Sequence, residues 1–156
     1  MTSLTAQIAK HVREIHTGGN WTVSNLKDML EDVNLEQATT VVKGRNTIAT
    51  LTFHVHYFVD AVTKVLEGGS LDAKDKFSFD HPNFESDEAW RTYVNRVLAD
   101  GERFAKLIEV LPDERMWEPF VDEKYGIYYR NLNGISEHTH YHLGQISLLK
   151  KMIQQD

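Results

Sequence analysis

The chain has 156 residues, with 17 Lys and Arg against 23 Asp and Glu, a formal charge of −6 at neutral pH. A field of that sign repels phosphate backbones and anionic lipid, which sets nucleic acid and membrane surfaces aside as partners. There is no cysteine, so disulfides, thiolate zinc sites, thiolate-held iron–sulfur clusters and a cysteine nucleophile are excluded, and eight histidines are the strongest metal ligands left.

No run approaches the ~20 apolar residues of a spanning helix, and Lys10, Arg13 and Glu14 interrupt the apolar pattern at the N-terminus. A single domain over residues 1–156, soluble and cytoplasmic, is the expectation. Proline is confined to Pro82, Pro112 and Pro119, which leaves room for long helices. The first is predicted over 4–16, with Leu4, Ile8, Val12 and Ile15 on one stripe and Gly18-Gly19 to stop it. Short helical pieces follow at 24–30, with Ser24 as cap and Lys27 where a capping box wants Glu or Gln, and at 34–42. A second long helix is predicted over 46–66, capped by Asn46. It carries Ile48, Leu51, Val55, Phe58, Val59, Val62 and Leu66 at helical spacing. Residues 70–85 read as a loop. A third long helix spans 87–110, in which Gly101 introduces a bend or allows another backbone close. Residues 116–130 fit either a short hairpin or an aromatic-rich loop. The last helix runs over 133–154. Four amphipathic stripes of this kind are buried most economically in a four-helix bundle.

Three histidines, His138, His140 and His142, fall within five residues of the last helix. With Ile135, Ile146, Leu149 and Ile153 as the core face, His138 and His142 lie on that face and His140 opposite, toward solvent or a second partner. Two core histidines, each hydrogen-bonded, would explain the pair without a metal. The i, i+4 spacing also places both rings where one ion can bind them, as in the helical zinc motif HExxH, although Thr139 stands where that motif has Glu. A third ligand must be His, Asp or Glu. His54 lies on the flank of the core face of the second helix, and His56 farther round, on its outer side. His54 is therefore the candidate third ligand. His11, His16 and His81 read as solvated or structural. Glu137 and Asp60 read first as solvated charges. Tyr57, Tyr129, Glu137 and Trp21 are the candidate pocket residues.

The segments NWTVSNLKDML, TIATLTFHVHYF and EHTHYHLGQI, in this order, resemble the DinB-like (DinB/YfiT-like) superfamily of metalloenzymes over essentially the whole chain. The specific part is one histidine on the second long helix and HxxxH on the last. The resemblance implies an all-α, four-helix bundle of the DinB/YfiT-like type, with short extra helices and loops. It further implies a homodimer and a divalent metal, zinc or nickel, on His54, His138 and His142, with His56 also standing in the matching segment. The activity it suggests is transfer of a low-molecular-weight thiol to an electrophile. Three imidazoles with no obvious fourth protein ligand leave a coordination position open, which suits catalysis by metal-bound thiolate or metal hydroxide. The alternatives are a metal-dependent hydrolase and a non-catalytic metal- or ligand-binding module. Of the aromatic residues in the two loops, some cap the bundle and others suit a dimer interface. No catalytic residue beyond the metal ligands is assigned.

Overall fold

The computed structural model describes residues 3–154 and is all-helical, with no strand among the described residues. Four long helices, α1 (Leu4–Thr17), α4 (Ile48–Leu66), α5 (Asp87–Glu109) and α6 (Tyr128–Gln154), carry the core, and two short ones, α2 (Leu26–Leu30) and α3 (Leu35–Thr39), pack at one end. α1 and α4 each contact both α5 and α6, which closes a ring of four.

The caps explain where the helices begin. Ser3, Asn25, Thr47 and Ser86 each accept a backbone N–H of the first turn, and Asn34 and Gln37 form a complete capping box on α3. The caps of α2 and α4 thus sit one residue beyond the expected Ser24 and Asn46. Asp113 adds a remote cap, its carboxylate accepting the Leu4 and Thr5 N–H groups at 2.9 Å each. Those bonds hold the Asp113 carboxyl below the usual range and fix the α5–α6 connection to the start of α1.

α6 begins at Tyr128, five residues before the expected start. The stretch ahead of it has features of both expected forms. Two 3-10 turns occupy Asp113–Trp117 and Glu123–Tyr125, and one antiparallel bridge, Pro119 to Ile127, closes the loop as in a hairpin.

Two apolar clusters fill the ring. One joins Leu26, Leu30, Leu51, Val55, Trp90, Ile146 and Leu149; the other joins Val12, Val59, Phe104, Ile108, Phe120, Leu132 and Ile135. α4 is buried on nearly all sides because it lies between α5 and α6. At Gly101 the close neighbour is a side chain: a Cβ there would stand 2.2 Å from Cδ2 of the buried His16 ring.

Candidate metal centre

α4 and α6 run antiparallel past one another. Leu51 shares a cavity with Gln145 and Leu149, His54 meets His138 and His142, and Phe58 lies with Ile135. Where the two apolar clusters leave this seam, the three imidazoles meet. His54 and His142 are buried and His138 is half-buried. His138 Nε2 lies 3.0 Å from His54 Nε2 and 3.1 Å from His142 Nε2.

The outer ring nitrogens decide which way the protons sit. The Ser78 hydroxyl donates its one hydrogen to the Asp75 carbonyl at 2.7 Å, so the 2.7 Å contact between His54 and Ser78 has His54 Nδ1–H as donor. Gln145 Oε1 can only accept, so His142 Nδ1–H donates to it at 2.7 Å. Both rings therefore present an Nε2 lone pair to the same point. A hydrogen on His138 Nε2 satisfies one of those lone pairs and not the other. A cation at the convergence satisfies all three.

The spacing fits. Nitrogens bound ~2.0–2.1 Å from one ion stand about 2.9 Å apart in octahedral and about 3.3 Å apart in tetrahedral geometry, and the two observed separations fall between. For His138 and His54, protonation is disfavoured near neutral pH. Burial, reinforced by the His142 and His54 imidazoles, pushes His138 down to about 4, and burial followed by His142 also lowers His54. Neutral imidazole is the form that ligates.

The seam opens beside the cluster into a pocket of about 370 Å³ lined by His54, Phe58, Asp75, Ile135 and His138. Phe79 stacks on His54 with ring centres 4.2 Å apart, and Phe58 meets His54 and His138 edge to face. The pocket is thus apolar apart from the imidazoles and one carboxylate. Asp75 Oδ1 is 3.5 Å from Ser78 Oγ.

Of the predicted site residues, His54, His138 and His142 come together. His56 does not belong on an outer face: it is as buried as His54, at 5 % exposure, but turned to α5. There His56 Nε2–H donates to Asp100 at 2.8 Å, and the Tyr93 hydroxyl donates to its Nδ1 at 2.9 Å. His140 is half-buried against His11 of α1, with ring centres 5.7 Å apart, and not in open solvent. His16 is buried and structural, donating through Nδ1 to the Val12 carbonyl at 2.7 Å. Asp60 pairs with Lys64 at 2.7 Å.

The candidate pocket residues lie elsewhere. Trp21 is 96 % exposed, Tyr129 stacks on Trp117, and Glu137 accepts from Asn133 at 2.9 Å. Tyr57 bonds the Lys74 backbone through its hydroxyl and so ties down the loop that carries Asp75 and Ser78. Those two loop residues, with Gln145, are the positions around the candidate site that sequence reasoning missed. Gln145 was detectable at i+3 from His142 on a helix. Ser78, 24 residues from His54 in an irregular loop, left no periodic trace.

No family profile, curated protein or solved structure matches the chain.

Proposed function

We propose that the protein is a metal-dependent enzyme, a four-helix bundle of the DinB-like type, that transfers a small thiol to an electrophile in the cytoplasm. The observation that carries the metal is the convergence of three Nε2 atoms, two of them with their outer nitrogens committed as donors to Ser78 and Gln145. His54, His138 and His142 hold the ion, zinc or nickel. Bound there, a divalent ion lowers the pKa of a thiol or water at its open position.

The surrounding side chains supply the rest. Phe58 and Ile135 give the pocket an apolar wall, Phe79 stacks on His54, and Asp75, the one carboxylate lining the pocket, takes the thiol proton in this reading. The chain has no sulfhydryl, so the sulfur arrives with the substrate. A homodimer belongs to the same reading. It is supported by Trp117 and Tyr129, stacked on one another at the surface, Trp117 being 62 % and Tyr129 36 % exposed.

The test is metal content after expression in zinc- and nickel-supplemented medium, followed by turnover of thiol–electrophile pairs. One ion per chain, lost in the His142→Ala variant, with thiol-dependent turnover is the expected result. Ester hydrolysis without thiol would make the protein a hydrolase. Tight metal with no turnover of either kind would make it a binding module. No stoichiometric metal would refute the centre itself. Light scattering of the same sample reads the dimer.

A further inference from the structure

A second cavity, of about 400 Å³, lies on the α4–α6 seam on the side of the histidines opposite the Asp75 pocket. Leu51 and Leu149 form its buried floor, and Leu148, 61 % exposed, forms a wall. Its polar groups are Arg45 and Asn46, from the turn before α4, and Gln145 of α6.

Arg45 differs from the other arginines. Among the described residues, Arg13, Arg91, Arg96, Arg103, Arg115 and Arg130 each donate to a carboxylate or a backbone carbonyl. The Arg45 guanidinium does neither, in a chain with a surplus of carboxylates. Gln145 is half engaged. Its Oε1 holds His142, while its amide nitrogen makes only a long contact of 3.4 Å to the Tyr141 hydroxyl and keeps an N–H for a ligand.

We infer that this cavity binds a small monocarboxylate with a short apolar tail. A guanidinium matches a carboxylate with two parallel N–H bonds, and the Asn46 and Gln145 amides add donors to the same head group. One cation above three leucines suits one negative charge; a doubly charged phosphate would leave its second charge over an apolar floor. The cavity is of the size that encloses a small ligand.

Its position gives it a role. Gln145 faces the cavity and also accepts the His142 N–H, so a bound carboxylate and a metal ligand share one residue. In the proposed thiol transfer the carboxylate group therefore belongs to the electrophile, held on one side of the ion while the thiol enters from the Asp75 side. This link rests on the metal reading; the cavity does not.

The experiment is an amide NMR titration of the full chain with sodium hexanoate, 1-hexanol and hexylammonium chloride, run on metal-free and on zinc-loaded protein. Hexanoate is expected to shift residues 45–47 and 145–149 saturably in both samples, about tenfold more tightly than hexanol, with no binding of hexylammonium. Arg45→Gln changes an exposed side chain outside the apolar core. It should weaken hexanoate about tenfold and leave hexanol unchanged. Equal binding of hexanoate and hexanol, no saturable shift, or an unchanged hexanoate affinity in R45Q would overturn the assignment. These outcomes are read in the metal-free sample, so they stand apart from any failure of the metal centre. In the zinc-loaded sample, hexanoate should also shift the His142 ring resonances, and Gln145→Leu should abolish that shift. An unmoved His142 would remove the coupling to the metal ligand.

Discussion

His54 and His56 stand two residues apart on α4, equally buried, in opposite environments. On the α5 side, both nitrogens of His56 are used inside the protein, one donating to Asp100 and one accepting from Tyr93. The ring is closed to further chemistry. On the α6 side, only the outer nitrogen of His54 has a protein acceptor, and its inner nitrogen faces two more imidazoles. Burial alone therefore does not separate a structural histidine from a ligand. For this pair the bookkeeping of donors and acceptors does.

The largest difference between the two sides should appear in metal affinity. Replacing His54, His138 or His142 with Ala removes one of the three proposed ligands and should cost a hundredfold or more, since even residues that merely orient a ligand are worth about 10–100-fold. His56→Ala should leave affinity within about threefold and instead lower stability. It takes the Tyr93 hydroxyl's partner, leaves the partly buried Asp100 with Arg96 at 3.4 Å, and opens a cavity where the ring was, for about 2–4 kcal/mol or a fall in melting temperature of about 5–10 °C. Competition with a chromophoric chelator, alongside thermal melts of metal-free protein, checks both halves. A His56→Ala protein that melts normally but loses metal would reverse the assignment.

Gly101→Ala tests the α5 side from another direction. Its new Cβ would collide with the His16 ring, which is buried and bonded in place, so a loss of about 1–3 kcal/mol is expected despite the better helix propensity of Ala. Urea unfolding reads this directly, and a gain in stability would show that the ring has room to turn.

Acid pH acts on the same region. Burial holds His16 and His56 below the ordinary histidine value, in the second case outweighing the attraction of Asp100. An imidazole with a lowered pKa binds its proton more weakly folded than unfolded, so the unfolded chain takes up protons first. Stability of metal-free protein should be fully present above about pH 6.5 and fall as the pH drops below it. His16→Phe, which keeps a ring against Gly101 but cannot titrate, should flatten that slope in urea melts at pH 5.5 and 7.5.

On the α6 side the next effect is smaller. Ser78→Ala removes the acceptor of His54 Nδ1–H and frees the ring to rotate or change tautomer, for a loss of about tenfold in metal affinity. An unchanged affinity would mean that Phe79 stacking alone orients His54.

Much of this contrast was legible in the residues before folding. The apolar period gave the four long helices, and i, i+4 spacing placed His138 and His142 together. His56 misled because a single apolar stripe implies one buried face, whereas α4 lies between two helices and is buried on both sides. Its polar partners, Tyr93 and Asp100, come from α5, some forty residues away, and no local period encodes that pairing. The early start of α6 was hidden for a related reason. Tyr128 and Leu132 belong to the core, but the aromatic run around them fits strand and loop as well. Loop residues such as Ser78 and Asp75 act through a tertiary fold-back that Tyr57 secures at Lys74, and sequence spacing carries no record of it.

His140 gives the smallest expected effect and the sharpest control on α6. It lies between two ligands in sequence, yet the helix turns it about 200° from each, toward His11 on α1. Burial, with a smaller contribution from His11, lowers its pKa, so it is neutral near pH 7 and repels nothing there. His140→Ala should therefore change metal affinity by less than about threefold, while His142→Ala two residues on removes binding. Both proteins fold around the same α6, so a shared loss of helix cannot produce the difference. If His140→Ala proved the more damaging of the two, α6 would have to be rotated by about half a turn, and the approach of His138 and His142 to His54 would go with it.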